Sequence, residues 1–332
     1  MRVPYAELHG TFVRVLVKAG MSASRADLCA ALFADASADG VPSHGLNRFP
    51  GFVAFIGRGL VNVSAQPECV AAFGGLERWD GHRGPGNLNA HHCMNRAIEL
   101  ARTHGIGAVA LAHTNHWMRG GAYGWQAADA GFIGVCWTNT FPNMPPWGAT
   151  ESRIGNNPFI IAVPRTNGHV VLDMAMSQFS YGALANHRMR GAELPVVGGY
   201  DEAGNLSRVP AAIEATGRLL PIGYWKGSGF AIMLDMVATL LSGGRATHQI
   251  TGGNPQDTGQ SQVFVAIDPT IHGSVADMSP IIDTIIDDLH LGGENVRYPG
   301  ERTLRTRQTS MREGVEVETS IWAEVRKMSD AE

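Results

Sequence analysis

The stretch that decides the fold is NLNAHHCMNRAIELARTHGIGAVALA, residues 87–112. Apolar residues in its first half recur every three or four positions, which predicts a helix from Asn87 to Ala101 with one buried face. Gly105 can end this helix, and the apolar run of residues 107–112 then predicts a strand. A helix followed at once by a strand indicates a sheet packed against helices.

Further apolar runs on both sides of this stretch predict more strands. They lie at residues 69–73, 76–79, 132–137, 159–163, 170–174 and 262–267. Because helix and strand alternate here, the pattern favours an α/β or α+β sheet domain. Residues 226–241 predict a buried helix, and residues 251–259 are expected at the surface.

Apolar stripes at helical spacing predict that both ends of the chain are helical. The stripes lie near residues 8–16, 24–39, 43–56, 278–289 and 320–325. A helical head and tail on either side of a sheet indicate a discontinuous helical domain. We therefore expect residues 1–75 with 275–332 to form a helical domain, and residues 76–274 to form a mixed-sheet domain that binds the cofactor.

Composition excludes several classes of function. The net charge is −4 and no basic run is present, which argues against a nucleic-acid partner. The most apolar stretch, residues 229–241, contains Asp235 and is too short to cross a bilayer. The four cysteines form no CxxC motif, so they are interpreted as reduced thiols of a cytoplasmic protein.

The segment Ser43-His44-Gly45-Leu46-Asn47-Arg48-Phe49 carries the first candidate chemistry. Ser43 is a favourable helix N-cap, so His44 and Arg48 are expected four positions apart on one helix face. An imidazole can move a proton and a guanidinium can bind a carboxylate, which suits a keto acid or hydroxy acid. The alternative is an ordinary helix start with an exposed histidine and arginine.

Two predicted strands are followed by, or end in, polar side chains. Asn115 and His116 follow the strand at residues 107–112, where open α/β sheets bind ligands. Asp173 ends another strand, where a carboxylate can hold a ribose hydroxyl, orient a histidine or simply be solvated. His113 and His116 form an HxxH motif, but the spacing is generic, so no metal site is predicted.

A nucleotide site is harder to place from motifs. The chain has neither a GxGxxG turn after a strand nor a GxxxxGK[ST] loop. Residues 224–229 (YWKGSG) would place Lys226 at a helix N-terminus, which is either a phosphate cradle or an ordinary glycine-rich helix start.

Six short motifs together resemble one family, the malate/L-lactate dehydrogenase type 2 oxidoreductases. In chain order they are Ser43-His44-Gly45, Asn115-His116, Gly155-Asn156-Asn157-Pro158, Asp173-Met174-Ala175, Lys226-Gly227 and Pro299-Gly300-Glu301. The resemblance runs from about residue 3 to the last helix. Tryptophans at positions 117, 147 and 225 make the chain most similar to family members that reduce a sugar-derived keto acid. The loop at residues 140–143 departs from their pattern.

The resemblance implies a fold unlike the Rossmann domain, in which a mixed-sheet NAD(P)-binding domain is joined to a helical one, and it implies a homodimer. Matching segments assign cofactor contacts to His169, Val170, Val171, Leu172, Asp173, Met174, Ala175, Trp225, Lys226, Gly300, Glu301 and Arg302. The sequence shows no obvious basic cluster that could bind the 2′-phosphate of NADP(H). NAD(H) is therefore favoured, and NADP(H) is the alternative.

The predicted function is NAD(P)H-dependent reduction of a sugar-derived 2-keto acid. His44 would donate the proton, with His116 as the second catalytic residue. The substrate-binding residues would be Ser43, Arg48, Asn115, Asn139 and Thr140. Alternatives are malate, lactate, ureidoglycolate or a cyclic ketimine as substrate, a sugar-acid binding protein without turnover, and a hydrolase with a metal at His113 and His116.

Overall fold

The computed structural model describes residues 1–250 and 258–330. Its helices are α1 (Tyr5–Lys18), α2 (Ala23–Ala38), α3 (Phe49–Gly57), α4 (Gly86–His104), α5 (Gly121–Asp129), α6 (Tyr181–Met189), α7 (Pro210–Thr216), α8 (Trp225–Ser242), α9 (Val275–His290), α10 (Glu301–Glu313) and α11 (Thr319–Asp330). Its strands are β1 (Arg2–Val3), β2 (Glu68–Phe73), β3 (Leu76–Asp80), β4 (Ile106–Asn115), β5 (Ile133–Thr138), β6 (Phe159–Val163), β7 (Val170–Met174), β8 (Gly199–Tyr200), β9 (Leu206–Ser207), β10 (Thr258–Ile267) and β11 (Val315–Glu316).

A seven-stranded mixed sheet forms the middle of the molecule, in the order β2-β3-β4-β10-β5-β6-β7. β3 and β4 are parallel, and the other neighbours are antiparallel. The central strand β10 places Phe264 opposite both Val109 and Cys136, where its side chain is fully buried. The predicted α/β class with a mixed sheet is confirmed.

The helix α4 packs closely on strand β4, as the pattern of residues 87–112 predicted. Gly105 ends the helix in the left-handed conformation, with φ of 78°. At Gly107 any side chain would place its Cβ 2.1 Å from the carbonyl oxygen of Ala97. Glycine at this position therefore allows the helix to lie directly on the sheet.

A second core is made by α1, α2, α3 and α11. Phe12, Phe33 and Phe49 meet at its centre, with ring centroids 4.2 Å apart for Phe12 and Phe49 and 5.2 Å apart for Phe33 and Phe49. Trp322 and Val325 of α11 belong to the same core. Both ends of the chain thus share one helical core, while the boundaries of the two domains stay a prediction.

Helix α9 makes polar contacts with the connection between β6 and β7. The Ser279 hydroxyl accepts a hydrogen bond from the backbone N–H of Thr166, at 3.0 Å, and Asp283 pairs with Arg165. This part of the predicted helical tail therefore touches the sheet region.

Helix α8 differs from its prediction, because only one of its faces is buried. Ala231, Leu234 and Ala238 are buried, whereas Met236 and Leu240 are 54% and 81% exposed. The helix is apolar on nearly all sides, so its sequence could not show which face the sheet covers. Of the predicted surface segment 251–259, residues 251–257 lie outside the described residues. No helix of the described chain is long and apolar enough to cross a membrane.

The helical core predicts a large difference between two phenylalanine substitutions. Phe33→Ala should lower the free energy of unfolding by about 3–5 kcal/mol, because it removes a fully buried ring. Phe73→Ala is the control, since that ring is 86% exposed and surface changes usually stay within about 0.5 kcal/mol. Urea unfolding followed by circular dichroism measures both, and equal losses would contradict the assignment of the core.

Candidate active site

His44 lies in a tight connection between α2 and α3. Two successive 3-10 turns, Pro42–His44 and Leu46–Arg48, replace the predicted α-helix that began at Ser43. Ser43 caps no helix, and its hydroxyl lies 3.0 Å from Nδ1 of His44. The prediction of an α-helix that begins at Ser43 was therefore wrong.

Gly45 is the physical reason for this shape. Its backbone, with φ of −109° and ψ of −121°, leaves the helical path between the two turns. A Cβ there would lie 2.2 Å from Oγ of Ser37 and 2.8 Å from the carbonyl oxygen of Phe33. The same Ser37 hydroxyl accepts the backbone N–H of Leu46 at 2.9 Å. Gly45 therefore fixes the connection against α2.

His44 and His116 come together across this connection. Their ring centroids are 5.9 Å apart with an interplanar angle of 23°, and both line a cavity of about 410 Å³ together with Ser43. The backbone N–H of Met118 donates to Nδ1 of His116 at 3.0 Å. Nδ1 of His116 is thus an acceptor, so in the neutral ring Nε2 carries the proton and can donate.

Arg48 lines a smaller cavity of about 220 Å³ next to the first. The smaller cavity is also bordered by Phe52, Phe55 and Asn115, and His116 belongs to the walls of both cavities. His44 and Arg48 thus line two adjoining cavities that share His116 as a wall residue. They do not lie on one helix face, although the sequence predicted that they would.

Asn115 lines the smaller cavity and also forms hydrogen bonds that hold two parts of the chain together. Its side-chain Nδ2 donates to the carbonyl oxygens of Arg83 at 2.7 Å and Gly84 at 2.9 Å. These bonds hold the turn before α4 against the end of β4. The amide is therefore fixed in orientation by backbone acceptors.

The structure does not bring Asn139 or Thr140 to the cavity of His44. Asn139 is fully buried and donates to Asp235 Oδ1 at 2.8 Å and to the Arg245 carbonyl at 2.7 Å. The backbone N–H of Thr140 donates to Oδ1 of Asn157 at 2.9 Å. Asn139 thus bonds to helix α8 and Thr140 to the loop at Asn157, which accounts for their place outside this cavity.

The edge strand β7 supplies one wall of the larger cavity. Val171, Leu172, Asp173 and Ala175 line it, and so does Gly300, which precedes α10. The backbone N–H of Val171 donates to the Pro299 carbonyl at 2.9 Å. Gly300 has φ of 92°, and a Cβ there would lie 3.1 Å from the Val171 nitrogen. Five of the predicted cofactor residues are therefore brought together.

The other predicted cofactor residues do not line this cavity. They are His169, Val170, Met174, Trp225, Lys226, Glu301 and Arg302. Nε2 of His169 lies 2.9 Å from Oδ1 of Asp129, and Trp225 is 65% exposed. Arg302 lines a third cavity of about 870 Å³, which shares Val41 and Thr303 with the cavity of His44.

Of the three tryptophans that carry the resemblance, Trp117 alone lines the cavity of His44. Trp117 does so while 1% exposed, whereas Trp147 is 46% exposed and lies elsewhere, as does Trp225. Trp125 of α5 is a further aromatic wall residue that the sequence did not single out.

A buried charge cluster was also missed. The Asp39 carboxylate, with its side chain 2% exposed, accepts from Arg307 Nε at 2.6 Å and Nη2 at 2.8 Å, and it pairs with Arg119. Arg119 lines the cavity, and its Nε is 3.7 Å from Oδ2 of Asp173. Burial lowers the pKa of Arg307, but the hydrogen bond with Asp39 and the negative charges of Asp39, Asp35 and Asp129 together raise it above its usual value.

The histidines of the HxxH motif point to different surroundings. His113 is exposed and its Nδ1 lies 2.8 Å from Asp80 Oδ2, whereas His116 faces the cavity. In the described ranges no group of three or more histidine, cysteine, aspartate or glutamate residues could hold a metal ion.

Comparison with known proteins agrees with this architecture. Residues 3–326 match the family model of malate/L-lactate dehydrogenase. The 2,3-diketo-L-gulonate reductase of Klebsiella pneumoniae is 48% identical over 334 residues, covering 99% of this chain and all of that protein. The chain therefore belongs to the malate/L-lactate dehydrogenase family, whose members are oxidoreductases, as its six motifs predicted.

Two solved structures share the fold over nearly the whole chain. The malate dehydrogenase of Pyrococcus horikoshii gives a TM-score of 0.89 at 27% identity, covering 99% of this chain and 95% of that one. The Δ1-piperideine-2-carboxylate reductase of Pseudomonas syringae gives 0.89 at 26% identity, covering 99% of both chains. The fold thus occurs in one protein named for a hydroxy acid and in another named for a cyclic imino acid.

The packing at Gly45 predicts an effect on both stability and the site. Gly45→Ala should lower Tm and displace the His44 connection, because its Cβ would lie 2.2 Å from Ser37 Oγ. Gly57→Ala is the matched control, since a Cβ there meets nothing within 4 Å. Differential scanning calorimetry and a turnover assay compare the two. A Gly45→Ala protein as stable and active as the control would contradict the close contact.

Proposed function

We propose that this protein reduces a sugar-derived 2-keto acid, 2,3-diketo-L-gulonate, with NADH as the reductant. The observation that carries the proposal is the 48% identity, over the full length of both chains, with a 2,3-diketo-L-gulonate reductase. The paired histidines on one cavity and the arginine on the adjoining one support the same chemistry.

The edge of β7 suits a nicotinamide ring with its carboxamide. In an antiparallel strand, alternate residues direct both backbone groups to the same side. Because Val171 donates outward to Pro299, Asp173 also directs its N–H and C=O away from β6. A carboxamide needs both a donor and an acceptor, and this wall offers both. When bound, a reduced nicotinamide supplies the hydride that protein side chains cannot.

We propose NADH over NADPH because arginines near the site already have acidic partners. The third cavity, of about 870 Å³, is lined by Arg2, Arg302 and Arg305. Arg305 pairs with Glu301, and Arg2 lies 3.9 Å from Glu313. Arg302 on the same wall is the residue that would meet a 2′-phosphate if NADPH were the cofactor.

Each polar residue around the cavities has a proposed part in the reaction. His44 donates the proton to the developing alkoxide, as a general acid typically does. His116 donates a hydrogen bond from Nε2 to the carbonyl oxygen, since its Nδ1 is held by Met118. Arg48 binds the substrate carboxylate, where a guanidinium can form two parallel hydrogen bonds.

We also propose a homodimer in the cytoplasm. The outer face of α8 exposes an uncharged apolar row, Phe230, Met233, Met236 and Leu240. Such a face is typical of an interface between subunits. All four cysteines are free thiols, which suits a reducing compartment.

The alternative within this fold is a different small acid. The two solved structures above are named for malate and for a cyclic imino acid. The proposed function predicts that kcat/KM for 2,3-diketo-L-gulonate well exceeds that for pyruvate, oxaloacetate or Δ1-piperideine-2-carboxylate. A side-by-side assay of NADH and NADPH oxidation measures this. Faster reduction of one of the other acids would reassign the substrate, and no turnover of any would favour a binding protein.

The proposed role of His44 predicts a loss of rate. His44→Ala should lower kcat by about a hundredfold to ten-thousandfold, the usual contribution of a general acid. Cofactor binding should persist, measured by NADH fluorescence titration. His113→Ala is the control, because that exposed residue faces Asp80 away from the cavity. A kcat of His44→Ala close to the wild-type value would contradict the role of His44 as the proton donor.

A further inference from the structure

Arg119 places a buried guanidinium on the wall of the cavity of His44. Its side chain is 6% exposed, and it lies on the cavity together with His44 and His116. Buried guanidinium groups normally have their donors satisfied, because an unpaired N–H in a protein interior is costly. Arg119 departs from that rule.

Arg119 keeps donors unused. Among the hydrogen bonds of residues 1–250 and 258–330, it uses Nη1 alone, to Asp39. Its Nε is buried without a partner, and the nearest acidic oxygen, on Asp173, is 3.7 Å away. That distance is too long for a hydrogen bond. The guanidinium therefore has donors that no protein group of these ranges accepts, and it lies on the cavity wall, where a ligand acceptor could reach it.

Pairing with Asp39 does not by itself account for Arg119. Arg307 already holds both oxygens of that carboxylate, at 2.6 Å and 2.8 Å, and Arg307 does not line the cavity. The negative charge of Asp39 is thus balanced without Arg119. What Arg119 adds is a guanidinium on the cavity wall, between that carboxylate and the carboxylate of Asp173.

The donors around the two cavities can be matched to the acceptors of a keto acid. A simple 2-keto acid has a carboxylate, for Arg48, and one carbonyl oxygen, for His44 and His116. These acceptors leave Arg119 unsatisfied. A 2,3-diketo acid has one more carbonyl oxygen, on the carbon next to the reacting one.

We infer that Arg119 binds the second carbonyl oxygen of a 2,3-diketo acid and so selects vicinal dicarbonyl substrates over simple 2-keto acids. The inference rests on the proposed function and adds a specificity-determining residue to it. A site built to hydrogen-bond a substrate group discriminates strongly against analogues that lack the group, because its own buried donors are then left unpaired.

The test compares two substrates of equal length, 2,3-diketo-L-gulonate and 2-keto-L-gulonate, in wild type and Arg119→Lys. Lysine keeps the charge beside Asp39 but loses the planar fork. The ratio of kcat/KM for the two substrates should fall roughly tenfold to a hundredfold, the usual range for a charge-assisted hydrogen bond. The kcat/KM for the diketo acid should fall more than that for 2-keto-L-gulonate, which has a tetrahedral hydroxyl group on carbon 3 in place of the planar carbonyl.

Arg307→Lys is the matched control. It alters the same buried carboxylate from a residue off the cavity wall, so the substrate ratio should stay at the wild-type value. If Arg119→Lys does not fold, the double variant Asp39→Asn with Arg119→Gln removes both charges together and should show the same loss of preference.

The possible outcomes distinguish a failure of the proposed function from a failure of the inference about Arg119. A wild-type enzyme that does not reduce the diketo acid would overturn the proposed function and this inference together, whereas one that reduces both substrates equally well would overturn the inference alone. A wild-type preference that survives in Arg119→Lys or in the double variant would overturn the inference alone. Equal losses on both substrates would also overturn it, because Arg119 would then serve the fold or the cofactor.

Discussion

The buried carboxylate of Asp39 is the constraint on which the site depends. It follows α2, yet its partners come from the loop before α5 and from α10. A buried carboxylate without a partner would be costly, and breaking such a pair typically costs about 3–5 kcal/mol. The charge therefore joins the helical core to the sheet region at one point. That point lies beside the cavity of His44, which Arg119 lines.

The helical core and the sheet region each contribute different residues to the site. The helical core contributes His44 and Arg48 on a short connection whose path Gly45 fixes. The sheet contributes His116 after β4 and the open edge of β7. Chemistry that needs a proton donor, a carbonyl donor and a carboxylate partner at once can take place only where these elements meet.

The sequence predicted those parts whose cause is local. Periodicity and Gly105 predicted α4 and β4 well, because helix and strand repeat at different intervals. His44 and His116 were found through short motifs, but the two 3-10 turns were not, since they depend on Gly45 contacting Ser37 of the preceding helix. Asp39 was missed because its partners lie 80 and 268 residues away in the chain. Asn139 looked available to a substrate because nothing local shows that Asp235 and Ser261 engage its amide.

The central claim is that the carbonyl group of a keto acid sits between His44 and His116. A crystal structure with NADH and an unreactive keto-acid analogue such as oxamate measures this most directly. The account predicts the carbonyl oxygen of the analogue within hydrogen-bond distance of both histidines, the carboxylate at Arg48 and the nicotinamide against β7. An analogue bound away from His44, or a nicotinamide bound away from β7, would contradict it.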